Sequence, residues 1–196
     1  MKTAIKKHLT QIGLLPGRDK MASAMSSTVQ QATRAATITL NGAIDDVFPL
    51  FTAKGELLWV PGWNPTFVYP QSGEPQTGGI FASQSLNTSA MTYWYTIIYD
   101  TERHIAQYVN IDPGSLIIQV NIRCQANPDN NTMAQVAFTF TPLRDRSSVF
   151  VHSQFSEAGF QAMMDNWVKW INYALEHGKP MPTSNHYLAS SHHFRH

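Results

Sequence analysis

The stretch Gly55-Glu56-Leu57-Leu58-Trp59-Val60-Pro61-Gly62-Trp63-Asn64-Pro65 constrains this chain more than any other. Two tryptophans four residues apart flank a Pro-Gly pair, directly after the short apolar segment 44–51. Proline has no amide hydrogen to donate, and glycine accepts backbone angles that other residues avoid, so Pro61-Gly62 turns the chain sharply. Large rings on both sides of a turn either pack into a corner or line a cavity. Either outcome needs an aromatic interior. The composition supplies one, with Phe 10, Tyr 7 and Trp 5 against a charged content of only 14%.

At 196 residues the chain fits one domain plus a tail and can bury a sizeable core. Its formal net charge of +1 gives no basic bias towards nucleic acid or anionic membrane. Lone Cys124 cannot form an intramolecular disulfide, and no C-x-x-C metal or redox motif occurs. Two N-x-S/T sequons begin at Asn87 and Asn130, a pattern that arises often by chance. Lys2, Lys6 and Lys7 could open a signal peptide, but His8, Thr10, Gln11 and Gly13 interrupt the apolar run that must follow. Nowhere is there an apolar stretch of about 18 residues, so stable membrane insertion is not expected and the cytoplasm is the expected compartment. Oligomeric state is left open.

Three regions follow from the pattern. Residues 1–31 stand apart as an N-terminal extension: Ile5, Leu9 and Ile12 share a weak helical face before Pro16-Gly17, and small polar residues then form a linker. Residues 32–178 form the domain. Residues 179–196 form a polar tail with His186, His192, His193 and His196, which are potential metal ligands but have no carboxylate or thiolate beside them. We expect a solvated tail and no bound metal.

Within the domain, Ala36, Ile38 and Leu40 alternate with polar residues as a half-buried strand. Ile44, Val47, Phe48 and Phe51 follow at helical spacing, with Pro49 keeping that helix short or irregular. Strand patterns cover 66–69, 79–84, 91–100, 105–111, 116–124 and 134–141, separated by turns such as Asp112-Pro113-Gly114 and Asn127-Pro128-Asp129-Asn130. Short connections favour antiparallel pairing. A last short strand is expected at 148–155. Phe160, Met163, Met164, Trp167, Val168, Ile171, Ala174 and Leu175 then predict a long amphipathic helix over 157–177, capped by Ser156 and stopped by Gly178. This is an α+β layout whose helix must bury its apolar face on the sheet.

This order of features resembles the START-like superfamily of polyketide cyclases and birch-pollen-allergen-like proteins, also called SRPBCC. The resemblance spans about residues 34–178. It is carried by Val47-Phe48-Pro49-Leu50-Phe51, segment 55–65, Gly79-Ile80-Phe81, Trp94 before Asp100, Tyr108 before Pro113-Gly114, and the Trp167 helix. It implies a helix-grip fold, in which a curved antiparallel sheet wraps the C-terminal helix and leaves a cavity between them. The superfamily includes lipid carriers, hormone receptors, chaperone activators, cyclases and dehydratases, so fold membership leaves function open.

The candidate cavity residues are Trp59, Trp63, Phe81, Trp94, Tyr108, Ile118, Phe138, Met164 and Trp167. On 91–100 the alternation sets Trp94, Thr96 and Ile98 against Tyr93, Tyr95, Ile97 and Tyr99. Both faces are aromatic, and the resemblance favours the Trp94 face as inward. Acid–base candidates are few. Glu56 beside Trp59 would gain a raised pKa if buried, though a solvated carboxylate on a short helix is the plainer reading. His152 could shuttle protons or be an ordinary edge or core histidine. Asp100, Glu102, Arg103 and His104 read as turn charges. Phosphate and dinucleotide loops are absent, as is a G-x-S-x-G elbow, and no cofactor is expected.

The favoured function is binding of a hydrophobic or aromatic small molecule between sheet and helix. Two alternatives are a cyclase- or dehydratase-type enzyme using the same cavity and a partner- or chaperone-binding module. A cluster of Glu56, His152 and Tyr108 around one pocket would favour the enzyme, whereas a closed, fully packed core would favour the partner-binding role. Because residues 1–30 contribute so few periodic apolar residues, deleting them should leave a cooperative thermal transition; loss of that transition would place the extension in the core.

Overall fold

The period-two alternation of 116–124 and 134–141 becomes the centre of a single antiparallel sheet. In the computed structural model, which describes residues 30–86 and 89–182, seven strands follow the order β1-β7-β6-β5-β4-β3-β2. They are β1 (Ala32–Leu40), β2 (Thr66–Tyr69), β3 (Ile80–Gln84), β4 (Met91–Asp100), β5 (Ile105–Asp112), β6 (Leu116–Ala126) and β7 (Thr132–Pro142). Strands β2 to β7 form a meander, and β1 closes it by pairing with β7. The expectations for residues 1–29 of the extension, for Asn87 and for the four tail histidines fall on residues outside those described. No helix among the described residues is long and apolar enough to cross a membrane.

On β6, Leu116, Ile118, Val120, Ile122 and Cys124 are buried while Gln119, Asn121 and Arg123 are exposed. Their register sets Ile118 opposite Phe140 and Val120 opposite Phe138, so two inward rows meet on one face. Burial of these side chains drives the sheet to cover something on that face. Burial also pushes the Cys124 thiol up to about 12, which leaves it an inert core residue.

Strand β4 obeys simple alternation only as far as its middle. Thr92, Trp94 and Thr96 face inward, with Tyr93, Tyr95 and Ile97 exposed. A register shift between Thr96 and Ile98 then reverses the assignment. Ile98 lies outside, and Tyr99 turns in to stack on Phe48 with ring centroids 5.2 Å apart. The grouping of Ile98 with Trp94, and of Tyr99 with Tyr93, is corrected by this bulge.

A second correction concerns residues 148–155. They belong to a helix, α2 (Asp145–Gln154), and not to a strand. The Val149-Phe150-Val151 run suggests alternation, yet the buried residues are Ser147, Val151 and Phe155, four apart, and Val149 is exposed. Topology contributes to the outcome: β7 already has β6 on one side and β1 on the other, so the segment cannot fold back and pair with the strand it follows. The Ser147 hydroxyl instead meets that of Ser115 at 3.2 Å, which pins α2 to the β5–β6 turn.

The 44–51 segment is a four-residue helix, α1 (Ile44–Val47), continued by a 3-10 turn at Phe48–Phe51, as Pro49 requires. The long helix is α3 (Glu157–His177), whose buried face is Phe160, Met164, Ile171 and Ala174. Ser156 Oγ accepts the Gly159 amide at its start, and Gly178 with φ 63° takes the left-handed cap at its end. Among the strands, α3 packs most closely against β1. Ser156→Ala should cost about 1 kcal/mol of stability through the lost cap, measured as a lower denaturant midpoint at unchanged slope; an unchanged midpoint would show that the cap contributes nothing.

Candidate ligand-binding site

The site is built on the irregular segment after α1. A 3-10 turn leaves carbonyls without helical partners, and here side chains take them up. Trp59 Nε1 donates to Leu50 O at 2.7 Å, Tyr108 Oη to Phe51 O at 3.0 Å, and Trp63 Nε1 to Ala53 O at 2.8 Å. The chain passes so close to itself that a Cβ at Gly55 would lie 2.1 Å from Pro49 O. At the Pro61-Gly62 turn, Gly62 adopts φ 73° and the Trp63 amide donates to Val60 O at 3.2 Å. The sharp turn expected from the sequence therefore exists, and its two tryptophans point back into the molecule.

Two ring clusters result. Around α3, Trp167 packs edge-on against Trp59 at 5.2 Å and Phe138 at 6.0 Å, with Phe51 at 6.2 Å. At the β3–β4 end, Phe81 stacks on Trp94 at 5.6 Å and takes the edges of Trp63 and Tyr108. Because α3 lies nearest β1, the inward face of β3 and β4 is covered by the Trp59–Trp63 corner.

The candidate residues divide by exposure. Trp59 and Met164 are fully enclosed, and Ile118 is nearly so. Phe81, Tyr108 and Phe138 are buried but keep 7%, 6% and 8% of their surface. Trp63, Trp94 and Trp167 remain partly open although all three pack against the core. A cavity of about 30 Å³ opens beside Tyr108, lined also by Thr52, Phe67, Gly73, Phe81 and Thr96. Such a volume accommodates roughly one water molecule. A wider depression of about 650 Å³ lies across β1, β7, β6 and β5, with Thr37, Gln107, Asn121, Arg123 and Gln135 at its surface. It contains none of the candidate residues.

The polar groups of the interior are few and specific. Burial pushes the Glu56 carboxyl up to about 8, although the residue as a whole keeps some open surface. Tyr108 is also pushed up, first by burial and then by the charges of Glu56 and Tyr99. Glu56 and Tyr108 thus sense each other inside the fold. His152 does not join them: it is exposed on α2, with Nδ1 2.8 Å from Ser148 O, and does not line the cavity at Tyr108, so the strand position expected for it is corrected to a helix surface. Asp100 Oδ1 accepts the Glu102 and Arg103 amides, the turn role expected for that cluster.

Three inward polar residues were not singled out from the sequence: Ser83, Asn110 and Asp112, each at most 5% exposed. Ser83 Oγ accepts Trp94 Nε1 at 3.0 Å, and Asp112 Oδ2 accepts Ser85 Oγ at 2.6 Å. Extending the alternation of β5 from Ala106 and Tyr108 would have found Asn110 and Asp112, since the four share one face.

No family model matches the chain, and no curated protein sequence does either. Solved structures do. Norcoclaurine synthase from Thalictrum flavum superposes with a TM-score of 0.57 at 13% identity, covering 84% of this chain and 97% of that one. The Zhui aromatase/cyclase from Streptomyces sp. R1128 gives a TM-score of 0.56 at 10% identity, covering 78% of this chain and all (100%) of that one. At these identities the likeness is one of fold. With its seven-stranded antiparallel sheet and long C-terminal helix, this chain shares the helix-grip fold of these structures.

Proposed function

We propose that the protein binds a hydrophobic or aromatic small molecule between the β3–β4 end of the sheet, the Trp59–Trp63 corner and α3. One observation carries this reading: Trp63, Trp94 and Trp167 belong to the interior yet keep open surface. Rings that pack on the core and keep open surface offer apolar area for a ligand to cover, since each buries about 150–250 Å² when fully enclosed. The 30 Å³ cavity at Tyr108 is too small for an aromatic ligand, so entry requires the Trp63 corner to swing away from Phe81. The fold type of the two similar structures, a norcoclaurine synthase and an aromatase/cyclase, supports the same reading.

Tryptophan fluorescence titrated with apolar aromatic compounds tests it directly. Saturable binding is expected, weakened by roughly 1–3 kcal/mol in Trp94→Ala and unaffected by Lys169→Ala on the exposed side of α3. Trp94→Phe is the control for lost stability, because deleting a buried ring costs about 3–5 kcal/mol of folding energy. Binding that never saturates, or that survives substitution of both Trp94 and Tyr108, would remove the assignment.

A second reading is favoured by the Glu56–Tyr108 pair. A carboxyl held protonated near neutral pH, close enough to influence the Tyr108 phenol, can donate a proton to a bound carbonyl or hydroxyl, as a cyclase or dehydratase requires. The raised carboxyl has a stability signature. Between its ordinary value of 4.5 and about 8 the unfolded chain has released the proton and the folded one has not. The folded state therefore binds more protons, and stability falls as pH rises through this window. Wild type should lose up to a few kcal/mol between about pH 5 and 8 relative to Glu56→Gln, measured by urea unfolding. Parallel pH profiles for the two proteins would show that Glu56 is not held protonated.

A further inference from the structure

We infer that Asn110 is a specificity residue of the proposed binding site, in the row of Trp94, and that its amide selects a neutral ligand with a hydrogen-bond acceptor oxygen, such as a ketone. The inference rests on the small-molecule binding reading above and names the polar group such a ligand must carry. Among the described residues, Asn110 Nδ2 is the one buried side-chain nitrogen or oxygen without a hydrogen-bond partner. The residue is only 4% exposed and stands on the inward face of β5. Its cross-strand neighbours are Trp94 on β4 and Ile118 on β6, so the amide lies in the same row as the half-open indole.

Buried polar groups without partners are rare in folded proteins because they lose their hydration and gain nothing. An apolar side chain at this position would suit the surrounding Trp94 and Ile118 better. Neighbouring donors are already committed. Trp94 Nε1 gives its hydrogen to Ser83 Oγ, Tyr108 Oη to Phe51 O, and Thr92 Oγ1 to Ile111 O at 2.9 Å. A ligand acceptor entering beside Trp94 therefore meets the Asn110 amide as the unclaimed donor of that row.

Charge decides which acceptor fits. The nearby acids are Asp112, two residues along the same face, and Glu56, which acts on Tyr108. Arg34, the cation on the inward row of β1, lies three strands from β5 and donates to Phe155 O and Thr33 O, both at 2.9 Å. A carboxylate ligand would thus stand on the same face as Asp112. A plain hydrocarbon would leave the amide unpaired. A neutral carbonyl satisfies it at no charge cost.

The test uses the full chain and two probes of the same shape, 9-fluorenone and fluorene, titrated by tryptophan fluorescence into wild type and Asn110→Leu. Wild type should bind the ketone roughly 3- to 10-fold more tightly than the hydrocarbon, the range of one neutral hydrogen bond. Asn110→Leu should lose that preference while keeping its affinity for fluorene. It should also melt at a higher temperature without ligand, because an orphan amide has been removed. The infrared carbonyl band of fluorenone bound to wild type should lie below its position in hexane, a readout that needs no variant. Equal affinities for the two probes in wild type, with an unshifted band, overturn the inference and leave the binding reading standing. A ketone preference that persists in Asn110→Leu overturns the assignment to Asn110. If neither probe binds wild type, the inference falls together with the reading beneath it.

Discussion

Three ring hydrogens hold the fold at its least regular point. Pro49 prevents α1 from continuing, and the resulting 3-10 turn leaves backbone carbonyls facing the interior. Trp59, Tyr108 and Trp63 supply donors to Leu50, Phe51 and Ala53, joining the turn to the corner that follows and to the middle of β5. A buried carbonyl left without a partner costs about 1–3 kcal/mol, and a deleted buried ring costs about 3–5. Packing is thus the larger contribution, while the hydrogen bonds fix where each ring can sit. That positioning matters for the site, because the indole that meets Phe81 edge-on has its nitrogen anchored at Ala53.

The position of α3 sets up the contrast between the two ends of the sheet. Near β1 the helix covers the inward side chains closely, and Phe138, Phe140, Phe155 and Phe160 form a continuous stack of rings. Near β3 and β4 a loop corner substitutes for the helix. Loops open more readily than helices packed along an apolar face, since fewer buried contacts must be broken. The inward polar groups Ser83 and Thr92 belong to the loop-covered end, with Asn110 and Asp112 on the adjoining central strand β5.

Much of this was legible in the sequence, and the failures are informative. The α3 helix, its Ser156 and Gly178 caps and the inward rows of β6 and β7 follow directly from periodicity and cap chemistry. The Ile98 and Tyr99 assignments failed because a bulge adds one residue to a strand without marking the sequence. Residues 148–155 failed because Val149-Phe150-Val151 has strand propensity while β7 has no free edge, and topology outweighs propensity. For the site, the aromatic residues were visible as large rings near turns. Their division into enclosed Trp59 and half-open Trp94 was not, because exposure depends on which part of the sheet α3 covers.

In the proposed site, the two polar features of β5 stand at different points along the strand. Tyr108 and Asn110 are two residues apart on one face, so their side chains stand about 7 Å from each other along the strand. A flat ligand lying against Trp94 could contact the Asn110 amide with its acceptor oxygen while its ring edge lies towards Tyr108 and Glu56. Burial keeps the Glu56 carboxyl protonated in that setting, which makes it a hydrogen-bond donor near neutral pH. Binding and proton transfer would then differ only in what the ligand presents to Glu56. An inert edge would make the protein a carrier, and a carbonyl or hydroxyl within reach would make it an enzyme. Fold alone decides neither role, so under the proposed reading the chemistry of the ligand would decide between them.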